Sequence, residues 1–283
     1  MHFQTLDTGL FKLDGGAMFG VVPKPLWSKL NPADEQNRCT WAMRCLLYEP
    51  DNSTANRRLL VVDTGIGDKQ DAKFFGHYAP DRSHSLLGSI QAAGYAETDV
   101  TDVLLTHLHF DHVGGAVKRV GDRLVPVFPN ATYWTHSAHW NWATQPNPRE
   151  KASFLSENIK PLQESGQLQF LNQQPFPYDK VALVYVDGHT EKMTLPIIHV
   201  KGRLVAYVAD LIPSSAHVPL PYVMSYDVRP LLTMDEKAQL LKRAADEDWI
   251  LVFEHDPVVE AATVEHTDKG VRIREKGRLV DFL

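Results

Sequence analysis

Cysteine is nearly missing from this sequence: Cys39 and Cys45 are the only two in 283 residues. That excludes a disulfide framework and leads us to expect a cytoplasmic location. No apolar run approaches the ~18 residues needed to span a bilayer, so no membrane partner is expected. The start, MHFQTLDTGLFKLDGG, lacks a basic region followed by a long apolar stretch, so it does not read as a signal peptide. Basic excess is also missing: 29 Lys and Arg stand against 35 Asp and Glu, for a net charge of −6. The chain therefore has no general attraction to nucleic acid. Repeats, low-complexity tracts and a domain-separating linker are not found. What is present is ordinary for a soluble globular protein: 43% apolar and 23% charged residues. The length is large for one domain but within reach of a layered α/β fold, so residues 1–283 are expected to form a single domain.

Short apolar runs separated by turn formers dominate the pattern. CTWAMRCLLYE (39–49) and RRLLVVDTG (57–65) flank the turn-rich PDNSTAN and suggest a hairpin. SHSLLGSIQAAG (83–94) reads as an amphipathic helix stopped by Gly94. DVLLTH (102–107) is a short buried strand. A second strand-then-helix unit follows in ATYWTH (131–136) and SAHWNWA. Residues 149–164 are expected to be helical, with strands at 167–171, 181–186, 194–200 and 203–209. MDEKAQLLKRAADED (234–248) is a helix, WILVFEH (249–255) the strand after it, and 261–281 short strands. Strands followed by helix, repeated in each half, predict two sheets packed face to face with helices outside.

THLHFDHVGG (106–115) concentrates His107, His109, Asp111 and His112 just after an apolar strand. Two residues apart at a strand end, His107 and His109 point the same way. Asp111 and His112 follow where Gly114 and Gly115 allow a turn. Neutral imidazole with carboxylate suits zinc, iron, manganese or cobalt. Three more candidates end apolar strands: His189 in ALVYVDGH, Asp210 in RLVAYVAD and His255 in WILVFEH. Seven ligands exceed one tetrahedral ion but suit two divalent ions sharing a carboxylate, about 3.5–4 Å apart and holding a bridging hydroxide. Asp63, in LLVVDTGIG, also ends a strand and is read as orienting a ligand histidine from behind.

H-x-H-x-D-H, VVDTGIG before it, and His189, Asp210 and His255 after it, in this order and spacing, resemble the metallo-β-lactamase superfamily over residues 40 to 256. The resemblance implies an αββα sandwich of two mixed sheets with a dinuclear site. It assigns His107, His109 and His189 to one metal and Asp111, His112 and His255 to the other, with Asp210 bridging and zinc as the first choice of ion. Asp111 and Asp210 would also orient the nucleophile. A bridging aspartate speaks against antibiotic hydrolysis. The strand-like tail speaks against a glyoxalase II-like thioesterase, the acidic balance against an RNA-processing nuclease, and the intact first histidines against a flavodiiron oxidase. What remains resembles the N-acyl-homoserine lactonases and the methyl parathion hydrolase type. A lactone is thus the leading substrate. A phosphotriester or aryl ester is the first alternative and a non-hydrolytic redox or binding module the second.

LDGGAMFGVVPKPLW (13–27) fits neither helix nor clean strand and looks like the N-terminal loop, within 1–38, that overhangs the site in those groups. Met18, Phe19, Val21 and Trp27 are therefore candidate substrate contacts, and the segment is a candidate homodimer interface. His217, Tyr222 and Tyr226, in the Pro-rich loop after Asp210, are candidates too; a tyrosine hydroxyl could stabilise an oxyanion or protonate a leaving group. His136 and His139, three apart on one helical face, are read as structural.

Overall fold

The chain opens with β1 (His2–Leu6) and β2 (Leu10–Asp14), then two short helices, α1 (Gly15–Phe19) and α2 (Lys24–Trp27), and the strands β3 (Arg38–Ala42) and β4 (Cys45–Glu49). Next come β5 (Leu60–Val62), α3 (Ala72–Tyr78), α4 (Leu86–Ala92), β6 (Asp102–Leu104) and α5 (Phe110–Val113). A hairpin of β7 (Val117–Val120) and β8 (Arg123–Pro126) precedes β9 (Thr132–Thr135), α6 (Ser137–Thr144), α7 (Ser156–Glu164) and β10 (Leu168–Phe170). The remainder is β11 (Val181–Val186), β12 (Met193–Val200), β13 (Arg203–Tyr207), α8 (Pro230–Asp246), β14 (Ile250–Val252), β15 (Ala261–Thr267) and β16 (Gly270–Gly277). This computed structural model describes residues 1–50 and 57–283. The chain divides into two units. One is Met1–Gly9, Met43–Gly76 and Asp81–Pro177; the other is Leu10–Ala42, His77–Pro80 and Tyr178–Leu283.

The first unit carries a six-stranded mixed sheet in the order β1-β4-β5-β6-β9-β10. β1, β4 and β5 are antiparallel neighbours, whereas β5, β6, β9 and β10 run parallel. Parallel strands buried on both faces read as continuous apolar runs rather than alternating ones, which is why Leu60, Val61 and Val62 are all inaccessible. Val61, Val103, Leu105 and Tyr133 join Ile90 of α4 and Leu162 of α7 in one core cluster. At the start of β6 the buried Asp102 carboxylate accepts from Arg58, Thr101 and Trp134 Nε1. Its desolvation is thereby offset.

The second unit holds the other mixed sheet, β11-β12-β13-β14-β15-β16, and the two-stranded β2-β3. Only β13 and β14 are parallel; the remaining pairs are antiparallel. β11 and β13 both oppose β12, so β11, β13 and β14 end at the same edge of this sheet. Helix α8 runs along β15 and buries Leu240, Leu241 and Ala244. Two mixed sheets with helices are the α/β class that the sequence led us to expect.

Three elements differ from the sequence reading. The run 39–49 is two strands, not one: β3 pairs with β2, and β4 with β1. The break falls at Met43, whose amide donates to the Gly9 carbonyl and whose own carbonyl accepts from Thr8 Oγ1. β4 and β5 are antiparallel as a hairpin requires, while residues 51–56 of the expected turn lie outside the described residues. The helix expected over 149–164 begins only at Ser156. Before it, the Asn147 side chain accepts from the amides of Arg149 and Glu150, which makes a turn. Residues 13–27 contain α1, capped by Asp14 on the Ala17 amide, and α2, which starts after Pro23.

Candidate metal centre

In the first unit the parallel strands β5 and β6 end side by side and deliver Asp63 and His107. Asp63 sits at φ 56°, a left-handed conformation that costs energy for a non-glycine residue and is held by its surroundings. Its Oδ1 accepts the Thr106 amide at 2.8 Å and its Oδ2 the Thr106 hydroxyl at 2.6 Å. Oδ2 also lies 3.1 Å from His112 Nδ1. The carboxylate thus joins the end of one strand to the turn after the next. The turn is tight because Gly114 and Gly115 lie directly on the backbone of Ile66 and Thr64, where any Cβ would collide with a carbonyl.

The histidines of this unit are buried and converge. His107 Nε2 lies 3.0 Å from His109 Nδ1, and the rings of His107 and His112 are 3.9 Å apart. Asp111 Oδ2 is 3.7 Å from His112 Nε2. Two imidazole nitrogens aimed at each other share at most one proton, whereas a cation satisfies both lone pairs.

In the second unit His189, Asp210 and His255 stand just beyond the common edge where β11, β13 and β14 end. Each Asp210 oxygen faces one imidazole: Oδ2 is 3.1 Å from His189 Nε2, and Oδ1 is 2.9 Å from His255 Nε2. Behind them, His189 Nδ1 donates to Asp227 Oδ1 at 2.9 Å and His255 Nδ1 to the Ala42 carbonyl at 2.7 Å. Those partners fix the tautomer and leave Nε2 forward. Burial opposes charge on His189, but Asp210 and Asp227 outweigh it and raise its pKa to about 10. This anionic pair around a buried imidazole fits a site that takes a cation in place of a proton. Gly188 allows the approach, because a side chain there would strike Thr233 at the start of α8.

All seven predicted ligands are therefore buried: four converge in the first unit and three in the second. Asp63, read as orienting a ligand histidine, lies 3.1 Å from His112 Nδ1. The structure adds supporting acceptors around the candidate ligands. Asp227 comes from the Pro-rich loop, and His139 Nε2 accepts the Leu108 amide at 2.8 Å, between two ligands. Glu150 Oε1 lies 3.5 Å from His109 Nε2. Spacing offers no signal for Asp227 and Glu150, whereas His139 is one of the two histidines read as structural.

The predicted substrate contacts all belong to the second unit. Phe19 is stacked between Trp27, at 5.4 Å, and His217, at 4.6 Å. His217 Nε2 donates to the Met18 carbonyl, and its Nδ1 accepts from Ser214. Burial lowers its pKa to about 3, so it is a neutral strut. Met18, Phe19, Trp27 and His217 are buried and Tyr222 is half-buried, whereas Tyr226 is 37% and Val21 90% exposed.

Both the sequence and the fold have known relatives. The sequence model of the metallo-beta-lactamase superfamily matches residues 45–255. A probable metallo-hydrolase of Mycobacterium bovis is 26% identical over 281 residues, covering 85% of each chain. The solved structure of a probable metal-dependent hydrolase from Staphylococcus aureus superposes with a TM-score of 0.86 at 28% identity, covering 98% of this chain and 96% of that one. That of AidC, described as a dizinc quorum-quenching lactonase in complex with a product, has a TM-score of 0.79 at 21% identity, covering 98% and 95%.

Proposed function

The chain belongs to the metallo-beta-lactamase superfamily and is a metal-dependent hydrolase, and from that premise we propose that it opens a lactone of the N-acyl-homoserine type at a centre of two divalent ions. The observation that carries this reading is Asp210, whose two oxygens each face a histidine held from behind. A carboxylate so placed suits a bridge between two cations. The choice of a lactone is supported by AidC, described as a lactonase, which has the same fold.

In this reading the two units are halves of one domain spanning residues 1–283, with residues 1–38 over the site. His107, His109 and His189 would hold one ion, Asp111, His112 and His255 the other, and Asp210 both. Bound ions, zinc for preference, would acidify a water and polarise the scissile carbonyl. The protein's own groups do the rest. The carboxylates of Asp111 and Asp210 orient the attacking water and accept its hydrogen bonds. Asp227, Ala42 and Asp63 keep the rings of His189, His255 and His112 from turning. The hydroxyls of Tyr222 and Tyr226 are the candidates to protonate the leaving alkoxide. Val21, exposed beside the buried Met18, Phe19 and Trp27, is assigned to the acyl chain, with His217 bracing the loop behind it.

The test is proton release from a long-chain N-acyl-homoserine lactone, with and without chelator, on protein of measured metal content. Fast turnover that is lost on chelation and restored by zinc is expected. A protein that holds two ions and leaves the lactone intact would overturn the substrate and move it to phosphotriesters or aryl esters.

A further inference from the structure

The histidines of the two units follow one rule, and His109 inverts it. His107, His112, His189 and His255 each turn Nδ1 backward onto an oxygen, of Thr106, Asp63, Asp227 and Ala42 respectively. His109 instead turns Nδ1 forward, toward His107 Nε2. Its backward atom is Nε2, and what stands behind it is Glu150.

Glu150 is only 3% exposed, and a buried carboxylate needs donors to offset its desolvation. Its Oε2 accepts from Trp142 Nε1 at 2.7 Å and from Asn147 Nδ2 at 2.5 Å. That leaves Oε1 toward His109. The surroundings restrict the ring as well. Phe110 donates its amide to the Ser153 carbonyl at 2.9 Å, and Leu108 donates to His139. The Phe154 ring lies 4.7 Å from the His109 ring. Helix α6, through His139, and the segment between α6 and α7, through Glu150, Ser153 and Phe154, therefore grip residues 108–110.

We propose that Glu150 is a positioning residue for His109: its carboxylate takes the Nε2 proton as a hydrogen-bond acceptor and so keeps Nδ1 bare for a metal ion. This rests on the reading of His109 as a ligand. A cation on Nδ1 makes the Nε2–H more acidic and strengthens the contact, as carboxylates behind ligand histidines generally do. An amide cannot replace the carboxylate. Trp142 and Asn147 donate to its Oε2, while His109 Nε2 faces Oε1 at 3.5 Å, an ion-pair separation that a cation on Nδ1 would draw in to a hydrogen bond; an amide would set its NH2 against one of these three N–H groups.

The experiment measures zinc affinity by competition with a chromophoric chelator, and the visible spectrum of the cobalt-loaded protein, for the wild type and for Glu150→Gln, Trp142→Phe and His109→Ala. Glu150→Gln is expected to weaken zinc binding by about 10- to 100-fold and to shift the cobalt bands. Trp142→Phe, which keeps the charge and removes one donor, should weaken binding less and decides the matter if Glu150→Gln does not fold. If His109→Ala loses zinc while the other two keep wild-type affinity and cobalt spectrum, Glu150 is only a brace for the loop and the proposal falls. Wild-type zinc affinity in His109→Ala would instead overturn the ligand reading on which it rests.

Discussion

Asp63 takes three donors on two oxygens: the amide and hydroxyl of Thr106, and the Nδ1 of His112. An asparagine in its place presents an NH2 to at least one of them and leaves a buried donor unanswered, at a cost of about 1–3 kcal/mol. Asp63→Asn should therefore lower the thermal midpoint of the metal-free protein and weaken zinc binding by about 10-fold or more. Calorimetry and chelator competition measure the two effects, and an unchanged affinity would show that His112 does not need its backward partner. The seven candidate ligands and Asp63 stand out in the sequence because each ends an apolar strand or belongs to one dense motif. Asp227 and Glu150 do not. They reach the candidate ligands from a loop and a turn that carry no periodic pattern, and a lone acidic residue just after Pro146, Asn147 and Pro148 reads as surface.

Helix α8 does more than cover its sheet. Lys237 is fully buried, and its ammonium donates to the carbonyls of His217, Pro219 and Tyr222. It thereby fastens the Pro-rich loop that also supplies Asp227. Lys237→Met removes all three bonds while preserving the stem, so we expect a loss of about 3 kcal/mol and faster proteolysis near residues 217–222. Denaturant titration and limited proteolysis measure both; wild-type stability would mean that the loop holds itself. From sequence this helix was identified but begun four residues late, because Pro230 reads as a breaker although it fits the first turn. The opposite error occurred at 149–164, where a helical composition gave way to the turn that places Glu150.

The stability of the whole molecule should depend on alkaline pH through a second buried lysine. Burial lowers the pKa of Lys69 to about 8, although its ammonium donates to the Gly114 carbonyl. The unfolded chain holds this proton up to about pH 10.5. Between about pH 8 and 10.5 the unfolded state thus binds more protons, and the contribution of Lys69 to stability rises with pH. Below pH 8 that gain is gone. Wild type should gain on Lys69→Met by about 3 kcal/mol across this window, as followed by urea midpoints at each pH. A constant difference would contradict it. Two mixed sheets were legible from the recurring strands. The split of 39–49 was not, since Arg44 is the one charge inside an otherwise mostly apolar run, without a Gly or Pro to mark a break, and the pairing partners on β1 and β2 divide it.

That division has a consequence for synthesis. Residues Leu10–Ala42 belong to a unit whose remainder, apart from four residues, starts only at Tyr178. At translation rates of about 5–20 residues per second, the 10–42 segment waits on the order of ten seconds for its sheet. During that time Phe11, Phe19 and Trp41, all inaccessible in the finished fold, have no cover from His217, His255 or the strands around them. The nascent chain therefore carries an early sticky segment for which a holding chaperone and neighbouring ribosomes compete.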